Sequence, residues 1–380
     1  MNIYEAAKCL SGMSHKLIPK DDTSFGLITM AVKGDKAFMA VSSNKFSCVV
    51  PVAIKHNLDK DLQCMVDGKL LSKVVQKLKL DTVEFEYSLN IEGQPSSLLI
   101  KSESNTNVSI SLSPLLSALK QKKLTSSHYV VNRECFVSSL KSTVNAGSDI
   151  DAERPYYYAL IGVKDKNISC TCGNGSFFAH VECDSLSVPA EKDYCLLPIP
   201  VALSLIPLLE QCEDKEIKLG FDDNAIVIHA ECMKFSLSID RKCVSWPDAS
   251  SILNRKTGDI YKIDISSIKE IANSIDLASD GYESKNDTLK CKMSLSKDKL
   301  TVNVDGSCKI ESYAKLESEN EVVKVVMIDA ACISISLKSK MLGSTVEINI
   351  DDSSFKGRPS PVVMSSSSDK CSYKTFFAVT

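Results

Sequence analysis

No stretch of this 380-residue chain approaches the roughly 20 consecutive apolar residues that a membrane-crossing helix needs. The start, MNIYEAAKCL, has Glu5 where a secretory leader would be basic, and it lacks the apolar run that such leaders carry. No excess of charge of one sign exists either. The net charge is −3 with 44% hydrophobic residues, a balance that argues against disorder. These absences lead us to expect a soluble, cytoplasmic protein.

Metal and disulfide signatures are lacking despite 15 cysteines. There is no C-x-x-C, the closest pair is Cys170 and Cys172, and the odd total leaves at least one cysteine unpaired. Most cysteines, for example Cys9, Cys195, Cys232 and Cys332, fall in patterns that read as strands or helices, where a reduced thiol acts as a small hydrophobe. The expectation is therefore structural thiols. His15, His56, His128, His180 and His229 are scattered, with no second ligand at metal spacing, and read as satisfied or exposed side chains. Catalytic signatures are missing as well: there is no G-x-S-x-G, Walker loop, G-x-G-x-x-G or H-E-x-x-H. Asp222-Asp223 and Asp351-Asp352 each follow a strand pattern and read as solvated turns. No catalytic residue, metal or cofactor is expected.

What the chain does have is an internal repeat. Helical patterns open at Gly68 (GKLLSKVVQKLKL), Pro198 (PIPVALSLIPLLEQC) and Ile328 (IDAACISISLKSKM), with 198 − 68 = 130 and 328 − 198 = 130. Each is followed by an alternating strand, TVEFEYS, EIKLGFD or TVEINID, whose period of two suits a one-sided sheet. Two more strands then follow: LLIKSE and NVSISLS, AIVIHA and MKFSLSID, PVVMSS and SYKTFFAVT. The repeat openings agree, since Asn2, Asn132 and Asp264 are each placed to cap a helix, at offsets 132 − 2 = 130 and 264 − 132 = 132. Three repeats of helices over strands suggest a scaffold whose shape is its function.

Positive charge is placed unevenly on that scaffold. In the helix from Gly68, Lys69, Lys73 and Lys77 fall at i, i+4 and i+8 on one face, while Leu70, Leu71, Val74, Val75 and Leu78 fill the other. Lys16 and Lys20, then Lys120, Lys122 and Lys123, and then Lys141, Lys269, Lys338 and Lys340 gather on or beside other helices. Two readings stand: a solvated face, or a lining for a phosphate backbone held without reading bases. The helix from Pro198 carries no lysine or arginine, so any such lining is uneven.

WPDASSIL (Trp246 to Leu253) resembles the aromatic-Pro-Asp-Tyr segment that follows the second domain of the bacterial DNA sliding clamp, the DNA polymerase III beta subunit. RPYYYALIGV (Arg154 to Val163) resembles that family's Arg-Pro…Gly strand entry. Both occur in order at the right repeat positions, and the resemblance runs over essentially the whole chain. It implies an α+β fold of three tandem clamp domains at 1–124, 125–254 and 255–380, each with two helices on antiparallel sheets. It further implies a head-to-tail homodimeric ring that encircles duplex DNA without sequence specificity and tethers the DNA polymerase.

On that resemblance the DNA-facing residues are Lys16, Lys20, Lys69, Lys73, Lys77, Lys141, Arg154, Tyr156, Tyr157, Lys269 and Lys338. Ring closure would pair NVSISLS with a strand of the third domain and pack Val108 and Ile110 against Ile271 and Ile275; alternatively, these four fill their own cores. Polymerase and clamp loader would bind by short peptides in a pocket of Gly175, Ser176, Phe177, Phe178, Pro247, Ile252, Phe376, Phe377 and Ala378. Here the sequence departs from the family. Ser176 and Phe177 replace its usual His and Arg, and Phe376 to Thr380 replace its Met-Pro-Met-Arg-Leu ending. The departure points to a phage-encoded or otherwise specialised clamp, working in the host cytoplasm in the former case. The competing reading is a clamp-shaped interaction scaffold that does not encircle DNA, favoured by the uncharged helix from Pro198; nothing favours an enzyme.

Overall fold

A computed structural model describes residues 3–43, 45–53, 55–56, 61–78, 84–101, 107–113, 128–147, 154–222, 225–239, 244–246, 258–280, 289–306, 308–319, 321–339, 342–350, 361–368 and 370–377. No helix among them is long and apolar enough to cross a membrane.

The order of elements repeats three times. Helix α1 (Ile3–Leu17) precedes strands β1 (Leu27–Lys33), β2 (Lys36–Ser42), β3 (Phe46–Val52), β4 (Lys55–His56) and β5 (Leu62–Asp67). Helix α2 (Gly68–Leu78) and strands β6 (Glu84–Leu89), β7 (Pro95–Lys101) and β8 (Asn107–Ser111) follow. The second pass begins with β9 (Tyr129–Asn132) and α3 (Arg133–Thr143), then runs through β10 (Tyr158–Asp165), β11 (Asn167–Gly173), β12 (Phe177–Asp184) and β13 (Ala190–Pro198). It closes with α4 (Ile199–Glu210), β14 (Glu216–Asp222), β15 (Ala225–Ala230) and β16 (Met233–Ser238). The third has β17 (Asp259–Asp264), α5 (Ile265–Ser279), β18 (Lys290–Leu295), β19 (Lys299–Asp305), β20 (Lys309–Glu317) and β21 (Lys324–Asp329), then α6 (Ala330–Leu337), β22 (Thr345–Ile350), β23 (Val362–Ser367) and β24 (Cys371–Phe377).

Local chemistry sets these boundaries. Asn132 and Asp264 cap their helices as expected: Asn132 Oδ1 accepts from the Cys135 N–H at 3.0 Å, and Asp264 Oδ1 accepts from the Ser266 N–H at 2.8 Å. Asn2 lies outside the described residues. Asp67 caps α2, accepting the Leu70 N–H at 2.7 Å. In the third repeat the helix starts at Ala330 rather than Ile328, because Asp329 supplies the cap by accepting the Ala331 N–H at 2.9 Å. The second helices thus start at 68, 199 and 330, a spacing of 131 twice over.

Strand pairing crosses the repeats. The chain falls into two compact units, one of Met1–Val137 with Cys195–Cys243, the other of Ser138–Tyr194 with Val244–Thr380. The domain boundaries expected at 124/125 and 254/255 lie outside the described residues.

In the first unit an eight-stranded sheet runs β5-β1-β2-β3-β16-β15-β14-β9, so β3 of the first repeat pairs antiparallel with β16 of the second. A buried Ser47–Ser236 hydroxyl pair at 2.9 Å sits on that seam. A separate four-stranded sheet runs β4-β6-β7-β8. Helix α1 packs on α2 and α4, burying Leu10, Met13, Leu71, Val75 and Leu205. Arg133, the first residue of α3, donates to the carbonyls of Asp214 (2.8 Å) and Leu209 (3.0 Å), fastening the joint between α4 and β14.

In the second unit a twelve-stranded sheet runs β13-β10-β11-β12-β24-β23-β22-β17-β20-β19-β18-β21. Its seam is the antiparallel pair β12–β24, which sets Phe177 opposite Phe377 with rings stacked at 5.3 Å and 17°.

The expectation that cysteines are thiols fails at one place. Cys212, just after α4, and Cys232, in the β15–β16 turn, form a disulfide with a Cα–Cα distance of 5.4 Å. Their separation of 20 residues carries no periodic signal; the β14–β15 hairpin folds them together.

Because Phe177 and Phe377 are each 1% exposed, Phe177→Ala should cost about 3–5 kcal/mol of unfolding free energy. Urea denaturation followed by circular dichroism should show the transition moving to lower urea.

Candidate functional site

Two surfaces carry the residues singled out above. The first is the exposed face of α2. Its apolar face buries Leu71 and Val75, one helical turn apart, and leaves Lys69, Lys73 and Lys77 exposed along the other side. Lys16 ends α1, which packs on α2, and both Lys16 and Lys20 are exposed. Five lysines therefore decorate the helical part of the first unit. Helix α4, packed on α1, adds no positive charge and leaves Leu203 36% exposed.

In the second unit Lys269 is exposed on α5 and Arg154 is exposed ahead of the turn Pro155–Tyr157, while Lys141 on α3 is half-buried. Tyr157 is half-buried, its ring edge-on to Tyr158 at 5.2 Å. Lys338 differs from its expected role. It forms an ion pair with Asp276 of α5, whose other carboxylate oxygen accepts from Ser334 Oγ at 2.5 Å. Its charge already has a partner.

The second is an aromatic cluster in the second unit, in which the half-buried Tyr156, Trp246 and Phe376 pack on the buried Phe178. It is built around the turn between β11 and β12, where Asn174 Oδ1 accepts the N–H groups of Ser176 (3.2 Å) and Phe177 (3.0 Å). Two glycines permit this turn. A Cβ on Gly173 would lie 2.3 Å from Phe178 Cδ1, and Gly175 has φ = +90° with Tyr156 Oη 3.3 Å from where its Cβ would be. The Phe178 ring then stands at 6.1 Å from Tyr156, 6.2 Å from Trp246 and 6.3 Å from Phe376, and Tyr156 lies edge-on to Trp246 at 6.3 Å. These are spacings at which tilted and edge-to-face rings attract. Trp246 Nε1 is buried with no acceptor among the described residues. The cluster thus sets three half-buried aromatic rings around a buried one.

Beside it on the same face of β12, His180 Nδ1 and Thr171 Oγ1 are 2.8 Å apart, and the ring sits opposite Lys374 of β24. Burial above all, with help from Lys374, lowers the pKa of His180, and Glu182 opposes this. The imidazole is held neutral.

Several expectations need correction. Tyr156 is expected among the DNA-facing residues, but its ring packs in the aromatic cluster. Phe177 and Phe377 are expected in the pocket, but the alternation of side chains along a strand turns them to the opposite face, into the core. Phe178 and Phe376 are the members of each pair that join the cluster, beside the turn that carries Gly175 and exposed Ser176. Pro247, Ile252 and Ala378 lie outside the described residues.

At the expected subunit interface, Ile110, Ile271 and Ile275 are 2%, 1% and 0% exposed and fill the chain's own cores; Val108 alone of the four is half-buried. The apolar residues available at the surface are others: Leu277 on α5 at 63% exposure, and Val322, Val323 and Val325 at and before the outermost strand β21. The resemblance suggested this side of α5, but the stripe that includes Ile271 and Ile275 is the one the core takes, as the alternative reading had it.

No family model matches the sequence, and no curated protein matches it. Solved structures do. The beta subunit of DNA polymerase III from Thermotoga maritima superposes with a TM-score of 0.77 at 14% identity, covering 99% of this chain and 97% of that one. A Pseudomonas aeruginosa sliding clamp bound to griselimycin gives 0.77 at 13% identity, over 100% and 97%. The Helicobacter pylori beta clamp bound to a DNA ligase peptide gives 0.74 at 16%, again over 100% and 97%.

The single tryptophan makes the cluster observable. Phe178→Ala removes a ring packed on the Trp246 indole, so it should open the indole to water and move its fluorescence maximum to longer wavelength. An unshifted spectrum would place Trp246 elsewhere. Over essentially its full length, this chain has the fold of the DNA polymerase III beta subunit, the bacterial sliding clamp.

Proposed function

We propose that this chain is a DNA sliding clamp: a non-enzymatic replication processivity factor, made of three tandem clamp domains at 1–124, 125–254 and 255–380, that closes as a homodimeric ring around duplex DNA and tethers a DNA polymerase. The observation that carries this reading is the match to clamp structures across nearly the whole of both chains. The exposed lysines of α2, with Lys16 and Lys20, support it chemically, as do Lys141, Arg154, Tyr157 and Lys269 in the second unit. Lysines touching phosphates make contacts independent of base sequence, so the protein can shift along the duplex while losing and regaining nearly equal contacts.

Ring closure on this reading uses strand edges. Strand β8 ends the four-stranded sheet, and β21 ends the twelve-stranded one. Each presents an outer row of main-chain N–H and C=O groups, and joining β8 of one protomer to β21 of its partner would satisfy both rows. Val108, Leu277, Val322, Val323 and Val325 are the side chains that would pack there.

On this reading the half-buried rings of the aromatic cluster are the docking point for short peptides of the polymerase and clamp loader, by analogy with the Helicobacter pylori clamp bound to a DNA ligase peptide. One observation favours a second reading, a scaffold that does not encircle DNA: α4 exposes no basic residue at all.

Replacing Lys69, Lys73 and Lys77 together with Glu should leave folding intact but weaken retention on nicked circular DNA. The log–log salt slope of binding should flatten by about 3, one unit per lost phosphate contact; an unchanged slope would remove α2 from the interface. Light scattering should give about twice the 41.5 kDa chain mass. A value equal to one chain at micromolar concentration would count against a stable ring.

A further inference from the structure

We infer that Cys212 and Cys232 form a reversible disulfide, a thiol-oxidation site that fastens the end of α4 to the β15–β16 turn. The two cysteines differ from the others described. The other twelve described cysteines stand outside any disulfide. Burial raises the thiol pKa of Cys9 to about 11 and those of Cys64 and Cys291 to about 12, so these give little thiolate and no path for an oxidant. Cys170 and Cys172 share a face of β11 but are 2% and 0% exposed. Cys308 is exposed, yet it has no disulfide partner.

At the proposed site, Cys232 is half-buried and therefore reachable, while Cys212 is buried behind it. Noncovalent ties already hold the two backbones together: Asp214 Oδ2 accepts the Glu231 N–H at 2.7 Å, and Arg133 grips the Asp214 and Leu209 carbonyls. The Cα–Cα distance of 5.4 Å lies where disulfides are most common. Because those ties do not need the bond, they keep the two positions adjacent once it is reduced, and closing it again costs little further ordering.

The chemistry needs a small disulfide such as oxidised glutathione. The Cys232 thiolate attacks one of its sulfurs, making a mixed disulfide and releasing one small thiol. The Cys212 thiolate then attacks Cys232 Sγ and releases the second. Two protein thiols are oxidised, one small disulfide is reduced to two thiols, and the two thiol protons end on the released thiols. A small dithiol reverses both steps. The rival use of the same atoms is metal binding, since the two sulfurs and an Asp214 carboxylate oxygen lie within 4.8 Å of one another.

The test exposes the native, reduced full chain to oxidised glutathione, alkylates remaining thiols and maps the peptides by mass. The expected result is a Cys212–Cys232 cross-linked peptide that dithiothreitol releases, with Cys308 carrying glutathione instead. The thermal midpoint should rise by about 5 °C on oxidation and not rise in the Cys212→Ser/Cys232→Ser protein. Full alkylation of both residues after oxidant would overturn the inference. So would one equivalent of zinc that survives dialysis of the reduced protein and shields both thiols from the alkylating reagent, since a metal site would then account for the pair.

Discussion

A β-sheet edge is a row of unpaired hydrogen-bonding groups, and it must be satisfied by another strand, by water or by cover. In this chain two such edges are satisfied by strands that lie far away in sequence. Strand β3 takes β16 as its neighbour, and β12 takes β24. The remaining architecture depends on these two seams. They carry the sheets across repeats, so that each compact unit draws strands from more than one repeat. They also decide which side chains meet: the β12–β24 register stacks Phe177 on Phe377 on one face and sets Phe178 beside Phe376 on the other, in the aromatic cluster.

Much of this could be read from the residues because it is local. The repeat spacing, the three strands after each second helix and the caps at Asn132 and Asp264 depend on periods and hydrogen bonds within a few residues. What could not be read depends on contacts across long sequence distances. Tyr156 sits in the Arg154–Val163 segment and Trp246 in the WPDASSIL segment, yet nothing local says that Phe178 brings the two rings together. The resemblance offered Ile271 and Ile275 to another chain, and the sequence alone could not choose between that and their own core; the core covers them, and Leu277, two residues on, is the one exposed. Likewise the Cys212–Cys232 bond depends on a hairpin closing between them.

The distribution of charge follows the same division of labour. Apolar residues of α2 anchor it to α1, which frees Lys69, Lys73 and Lys77 to face outward at one-turn intervals. Helix α4 is nearly all apolar because it is used for packing, and its surface contributes no lysine or arginine. Lys338 keeps its charge but has it balanced by Asp276. On the proposed reading the DNA would therefore be held by an uneven set of lysines rather than a uniform lining, and weak, scattered phosphate contacts suit a protein that must slide.

The proposed function rests on topology more than on affinity, so the decisive measurement is one that changes topology alone. The protein would be loaded on a nicked circular plasmid, separated from free protein, and then split into two samples, one of them cut once with a restriction enzyme. A ring predicts that protein stays on the intact circle and is lost from the cut DNA within minutes, and that blocking both ends with bulky proteins restores retention. Equal retention on circular and open linear DNA would contradict encirclement, because contacts made to the duplex surface do not depend on whether its ends are free.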